Sequence, residues 1–467
     1  MGKILSENRH FGLAISPVDG RYRRIVEELA EFFSEYALMR LRVYIELEYL
    51  IHLSEFTKGK VVRRLSDSEK DRIRSIARNF SLKDFDRVKA LEAETRHDVK
   101  AVEYFLREKL IENMLSDLIP MIHFGLTSED VNNLAYSIAI RDFTRKLFIP
   151  SINRLLKQLS KLAREHKATP MLARTHGQPA SPTTLGKELA VFIYRIFRYK
   201  EKLETAELPG KLSGSVGNFN SFTAAYPEVN WLEFSKSFIE KLGLKYYPIT
   251  TQILPHDEIS DILCLYRGLC NVLIDLCRDL WLYCSYGYLE LQTGRKTVGS
   301  SVMPHKVNPI EFENAEGNLQ IASELLSFAS AKLQISRLQR DLSDSTVKRN
   351  YGVIFAHIMI AIYNIIKGLS KIRVNVERME QDLMENSQVL SEAYQTILRS
   401  RGYGEAYEIV AEKVKGRKLS LEEMREIARS LNVDDETRKM LIDLDPRKYV
   451  GIADKLVEYV LSIVDIF

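Results

Sequence analysis

The stretch F-I-P-S-I-N-R-L-L-K-Q-L-S-K-L, residues Phe148 to Leu162, decides the architecture. Its apolar residues Phe148, Ile152, Leu155, Leu159 and Leu162 step by four, three, four and three, which is one face of a helix with a near-heptad seam. Leu265, Leu269, Val272, Leu276 and Leu280 repeat the pattern, and Ile354, Ile358, Ile362 and Ile365 make a third stripe. No proline lies between Pro17 and Pro120, or between Pro309 and Pro446, so long uninterrupted helices are permitted. Strand-like alternation is scarce. The best candidate, K-Y-Y-P-I-T-T-Q-I near Tyr247, contains a proline. The expected fold class is all-α, with three helical domains: residues 1–117, a central long-helix bundle over 118–369, and shorter, more charged helices over 370–467. Stripes this long are not satisfied by one thin layer. A bundle packed against copies of itself satisfies them, so an oligomer is expected.

The 467 residues are 45% hydrophobic and 28% charged, enough for a large buried core. The 67 basic residues exceed the 63 acidic ones by four. The densest basic run, Arg21 to Arg24, is short. This balance suits a site for an anionic small molecule better than a nucleic-acid surface, which needs a clustered basic face. The N-terminus lacks an apolar targeting core. The most apolar stretch, Val353 to Ile366, is interrupted by His357 and Asn364 and is too short to span a bilayer. It reads as a buried helix in a soluble, cytosolic protein. Cys264, Cys270, Cys277 and Cys284 fall on one predicted helix. The last three are seven apart, about 10 Å, too far for disulfides. Without a C-x-x-C they do not suggest zinc.

Polar chemistry concentrates in a few segments. The first is G-S-S-V-M-P-H-K-V-N-P, Gly299 to Pro309, between two apolar helical runs. A connector has no use for so many polar side chains, whereas a loop that closes over a charged substrate does. It is neither a P-loop nor a lipase elbow. F-G-L-T-S-E-D-V-N-N, Phe124 to Asn133, places Thr127 and Ser128 at a helix start, where they can cap the helix and also bind a carboxylate or phosphate. A-R-T-H-G-Q-P-A, Ala173 to Ala180, reads as a loop with an unusual fixed backbone around His176 and Gly177. Histidine exchanges protons near neutral pH. T-R-H-D, Thr95 to Asp98, sets His97 and Asp98 beside Arg96. Q-R-D-L-S-D-S-T-V-K-R, Gln339 to Arg349, predicts a helix on which Ser345 and Arg349 share a face and Arg340 lies in reach. This is either a solvated, salt-bridged face or a phosphate clamp.

The Gly299–Pro309 segment resembles the signature of the fumarase/aspartase superfamily, whose general form is G-S-S-x-M-P-x-K-x-N. Its M-P-H-K form, with T-S-E-D, R-T-H-G-Q-P-A, T-R-H-D and Q-R-D-L-S-D-S-T, resembles the adenylosuccinate lyase family. The similarity runs from S-P-V-D-G-R-Y (Ser16 to Tyr22) to about Arg349. The resemblance implies a homotetramer with a common helical core, whose active sites collect loops from three subunits. It implies β-elimination at a C–N bond, releasing fumarate from adenylosuccinate to give AMP, and from a succinylated aminoimidazole carboxamide ribotide (SAICAR to AICAR) in purine biosynthesis. It also implies that no metal or organic cofactor takes part.

Carried over residue by residue, Ser300 is the base, His176 the acid, and Glu313 the carboxylate that orients the histidine. Lys306 and Asn308 stabilise the carbanion, which is a dianionic carboxylate and needs positive charge and donors beside it. The leaving nitrogen needs a proton, which suits His176. A serine hydroxyl becomes basic only if the lysine charge and loop donors lower its pKa. Arg21, Tyr22, Arg340, Ser345 and Arg349 match residues at the nucleotide phosphate, and His97 and Asp98 match residues near the nucleotide. Thr127, Ser128 and Gln252 match groups that hold the succinyl carboxylates. Ser301 and Met303 join the substrate-binding set. The alternatives are another lyase of the superfamily, such as argininosuccinate lyase, or a non-catalytic crystallin-like protein. The phosphate-binding set weighs against the first, since those substrates carry no phosphate.

Overall fold

The structure, a computed structural model, describes residues 13–292, 303 and 306–464. Helices dominate them, in agreement with the all-α reading. Most of the predicted stripe residues are buried: Phe148, Ile152, Leu155 and Leu159 are fully enclosed, as are Leu276, Leu280, Ile358 and Ile365, while Leu162 and Leu265 are half-buried. They lie on the helices Ile149–Glu165, Asp257–Ser285 and Tyr351–Leu369. Phe148 itself closes a π-helical turn, Thr144–Phe148, where the Thr144 side chain bonds to the Ile140 carbonyl and to the Tyr266 hydroxyl at 2.6 Å each. The run Ser343–Leu369 is long and apolar enough to cross a membrane by length and composition, but 67% of its most apolar window is buried, as in a core helix. All four cysteines are free and lie on Asp257–Ser285. Burial pushes the Cys270 thiol up to about 12.

By compactness the chain divides into two units, each assembled from three stretches. The three contiguous segments read from the sequence divide it by a different criterion, composition along the chain.

The first unit comprises Met1–Ser151, Lys200–Asn271 and Asn318–Ile360. Its helices start where the sequence supplies caps. The Ser66 hydroxyl accepts from the Glu69 amide while Glu69 reaches back to the Ser66 amide, and Ser81 and Asp84 do the same. An aromatic core joins its stretches: Phe355 lies 4.6 Å from Phe143, 5.0 Å from Phe33 and 5.0 Å from Tyr266, between ring centroids. A second cluster gathers Tyr49, Trp231, Phe234 and Phe238. Of K-Y-Y-P-I-T-T-Q-I only Lys245–Tyr246 is strand, a two-residue parallel pairing with Pro209–Gly210. Pro248 lacks the amide that a longer ladder needs.

The second unit comprises Ile152–Tyr199, Val272–Gly317 and Ala361–Phe467. Its C-terminal helices enclose Leu390, Tyr394, Leu398, Val410, Met424, Ala428 and Leu441. A β-hairpin, Pro170–Thr175 paired antiparallel with Gln178–Thr184, replaces the loop expected over Ala173 to Ala180. Pro179 and Pro182 hid this second strand in the sequence. A proline is tolerated in a strand whose free edge faces no partner.

Candidate active site

In the first unit, the Ser128–Phe143 helix organises one set of predicted residues. Thr127 is its N-cap, and Asp130 accepts a hydrogen bond from the Thr127 amide at 2.9 Å. The same carboxylate accepts from the amides of Ser213 and Gly214, at 2.9 and 3.1 Å. Its charge is met by Lys211 at 2.9 Å, both side chains being wholly enclosed. Asp130 therefore ties the helix start to the segment S-G-S-V-G-N, Ser213 to Asn218. Gly214 and Gly217 have φ of +80° and +83°, and a Cβ on Gly217 would fall 2.1 Å from the Thr250 carbonyl oxygen. Only glycine allows that approach. Ser213 Oγ meets Thr250 Oγ1 at 2.8 Å, and the Gln252 amide donates to the Ser215 carbonyl at 3.0 Å. Thr127 and Ser128, and Gln252 more than a hundred positions later, thus flank one glycine-bearing loop.

Glu129, the next residue of that helix, opens the arginine cluster. Lys348 lies 2.6 Å from Glu129 and 2.8 Å from Asp344. Arg340 lies 3.6 Å from each of these carboxylates and donates to the Ser345 hydroxyl at 3.0 Å. Burial opposes the charge on Lys348, but Glu129 and then Asp344 outweigh it and raise the pKa. Burial likewise opposes the charge on Asp344, and Lys348 outweighs it, so the carboxyl is held below the usual range. Burial, then the Lys348 charge, push His256 down to about 3. Glu129, His256 and Asp344 present ligand atoms within 4.8 Å of one another, a donor set that could hold a metal ion. The Lys348 ammonium supplies positive charge between its two carboxylates. The expected helix over Gln339 to Arg349 begins only at Ser343, so Arg340 lies in the irregular segment before it. Asp341 accounts for that start: it accepts from the Ser343 amide at 2.9 Å and from the Arg337 amide at 3.1 Å.

Arg349, one residue past Lys348, lies 3.8 Å from Asp98. Asp98 also accepts from buried Arg42 at 2.7 Å, and Arg42 in turn donates to Asn132 at 2.9 Å. Burial opposes the charge on Asp98, but Arg42 outweighs it and holds the carboxyl below its ordinary value. Arg42, Asp98, Tyr136, Lys348 and Arg349 line a cavity of about 500 Å³. His97 is exposed and caps the Asp98–Glu112 helix, its Nδ1 accepting from the Lys100 amide at 3.1 Å. The Arg21 guanidinium lies 6.0 Å from the Tyr22 ring centroid. The flanking Asp19 and Arg23 line a second cavity, of about 340 Å³, with Arg349.

In the second unit, His176 and Gly177 form the whole turn of the hairpin, with φ of +52° and +73°. Two successive left-handed residues are what a type I′ turn requires, and its twist matches that of the strands. His176 is exposed at the tip. Glu313 lies in the first turn of the Ile310–Leu333 helix and accepts from the Trp281 indole at 3.0 Å. Among the described residues no hydrogen bond joins His176 to Glu313. Lys306 and Met303 are exposed, the Lys306 amide donating to the Met303 carbonyl at 3.0 Å, and Asn308 is half-buried. Ser300 and Ser301 lie outside the described residues.

Sequence reasoning missed Arg42, Glu129, Asp130, Lys211 and Lys348. A signal existed for Arg42 in its place between apolar Leu41 and Val43 on a long, largely apolar helical run, since an arginine buried there needs a partner. Lys348 had its i,i+4 spacing from Asp344, but its pairing with Glu129 and that of Lys211 with Asp130 carried no signal, because those partners are 219 and 81 positions away.

The fold matches a fumarate lyase from Mesorhizobium sp. BNC1 (TM-score 0.75, 21% identity, 93% of this chain and 97% of that one). It also matches a 3-carboxy-cis,cis-muconate lactonizing enzyme from Pseudomonas putida (TM-score 0.73, 20% identity, 94% and 97%). The fold is therefore the helical one of the fumarase/aspartase type. A family model described as Lyase matches residues 20–322, and one described as Adenylosuccinate lyase C-terminal matches 336–450. The chain is 41% identical to the adenylosuccinate lyase of Legionella pneumophila (strain Corby), over 95% of this chain and 98% of that protein. It is 43% identical to that of Dictyostelium discoideum (94% and 96%) and 40% identical to that of Escherichia coli (strain K12) (95% and 98%). The chain belongs to the adenylosuccinate lyase family.

Proposed function

We propose that the chain is a carbon–nitrogen lyase that releases fumarate from adenylosuccinate, leaving AMP, and from the related succinylated aminoimidazole carboxamide ribotide. The observation that carries the substrate choice is the gathering of Arg340, Ser345, Arg349, Arg42 and Asp98 within the first unit. A guanidinium, a hydroxyl and a second guanidinium suit a phosphate monoester. Argininosuccinate and malate carry no such group. Arg21, Tyr22, His97 and Asp98 contact the nucleotide. Thr127, Ser128 and Gln252, with Lys306, Asn308, Ser301 and Met303, hold the succinyl part.

The reaction breaks a C–H bond and a C–N bond. Ser300 takes the proton from the carbon beside a carboxylate, and Lys306 and Asn308 stabilise the dianion that forms. His176 protonates the departing nitrogen, and Glu313 orients the imidazole. The steps use side chains alone. The working form is a homotetramer in the cytoplasm, with active sites that draw loops from more than one subunit. The exposure of Ile321, Phe328 and Tyr363 on long helices supports the assembly, whereas the Phe148 to Leu159 stripe is already enclosed within one chain.

The deciding experiment is an absorbance assay with adenylosuccinate and, separately, argininosuccinate. Turnover of the first alone is expected. Turnover of only the second refutes the assignment, and inactivity toward both favours a structural protein.

A further inference from the structure

The hairpin that carries His176 is fastened to the C-terminal helices, for which the sequence motifs gave no role. Arg174, two residues before the turn, donates to Asp382 at 2.5 Å, and its guanidinium lies 4.8 Å from the Tyr286 ring centroid. Asp382 lies on the Val376–Met384 helix and is 7% exposed. Its carboxylate also accepts from the Tyr288 hydroxyl and, at 3.2 Å, from the Asn386 amide. On the other strand, Ser181 donates to Glu392 of the Ser391–Ser400 helix. Beneath, Leu172 packs with Leu383 and Val389.

A two-stranded hairpin alone is marginally stable in water. Its tip holds a direction only if its strands are held. Here the strand nearest the imidazole is held by one buried carboxylate with three donors, a far stiffer link than a surface ion pair.

We propose that Asp382 is a positioning residue for His176. Through Arg174 it fixes where the His176–Gly177 turn presents the imidazole, which gives the C-terminal segment a part in proton transfer. The inference rests on the reading of His176 as the proton donor. A displacement of about 1 Å in a reacting group costs on the order of 100-fold in rate.

The test is a double-mutant cycle in the full-length protein with Asp382→Ala and His176→Ala, following kcat and KM for adenylosuccinate. Asp382→Ala is expected to lower kcat roughly 10- to 100-fold with KM changed less than about threefold. In the His176→Ala background it should lower kcat no further. Asp382→Glu should recover part of the rate. If Asp382→Ala retains full kcat while His176→Ala is crippled, the inference is overturned. It is also overturned if Asp382→Ala lowers kcat by the same factor in both backgrounds, as a loss of fold would. If His176→Ala is itself unimpaired, the reading of His176 fails instead. Should Asp382→Ala not fold, Arg174→Met cuts the same link from the hairpin side, and the same non-additivity with His176→Ala decides.

Discussion

Substituting Lys348 by methionine tests the buried charge network of the first unit. Lys348 is 2% exposed, and its ammonium is 2.6 Å from Glu129 and 2.8 Å from Asp344. Methionine fills similar volume but leaves two enclosed carboxylates with Arg340, 3.6 Å from each, as the cation beside them among the described residues. Removing one partner of a buried pair costs about 3–5 kcal/mol, because the remaining charge is desolvated and uncompensated. Unfolding entropy of ~2.1 cal/mol/K per residue gives about 1 kcal/mol/K for 467 residues, so Tm should fall by about 3–5 °C. The effect carries a pH signature. Lys348 outweighs burial and depresses the Asp344 pKa, so this stabilisation is present above the unfolded carboxyl pKa of about 4 and is lost as pH falls through the folded one. The gap between parent and variant should therefore narrow in acid. Adding Glu129→Gln to Lys348→Met restores the charge balance and should recover more than half of the loss. Urea unfolding and calorimetry measure both. A single variant within about 1 kcal/mol of the parent at pH 7 refutes the reasoning.

His176→Ala and Ser300→Ala should each lower kcat at least about 100-fold, and mixtures of the two should regain activity if sites are shared between subunits. Near-normal turnover in either reassigns that residue. Burial, then the nearby Lys241 charge, push His52 down to about 4. The unfolded chain binds that proton below about 6.5, so stability is lost as pH falls from there toward 4. His52→Gln should flatten this slope by nearly one proton in urea titrations at stepped pH; an unchanged slope counts against it. Gly217→Ala forces the 213–218 segment away from Thr250, which should cost about 1–3 kcal/mol and raise KM more than it lowers kcat. Steady-state kinetics beside a melting curve would show a silent substitution at once.

The long helices were legible because a stripe such as Leu265 to Leu280 repeats over several turns and declares its period. Thr127 was legible as a cap because the signal lies within three residues of it. The hairpin at His176 was not, since Pro179 and Pro182 are strand-breaking signals and its turn residues read as loop. The start of the Ser343–Lys348 helix was misjudged because the Asp341 and Ser343 contacts are local side-chain choices that periodicity does not register. The site's motifs were readable as residue types. Their supports were not, because Arg42 with Asp98, Lys348 with Glu129 and Arg174 with Asp382 meet only after the chain has folded.

The turn at His176 and Gly177 also fixes length. Thr175 pairs directly with Gln178, so no residue is spare. Inserting or deleting one residue there would shift the pairings of Thr175 with Gln178 and Arg174 with Pro179 by one and turn those side chains to the opposite face, up to the irregularity between Leu172 and Arg174 where the second strand already carries an extra residue. Exchanges of residue type that keep the two left-handed positions leave the pairing intact. At this tip the chain is therefore more tolerant of substitution than of any change in spacing, and a single added residue would be expected to do more harm than several replacements.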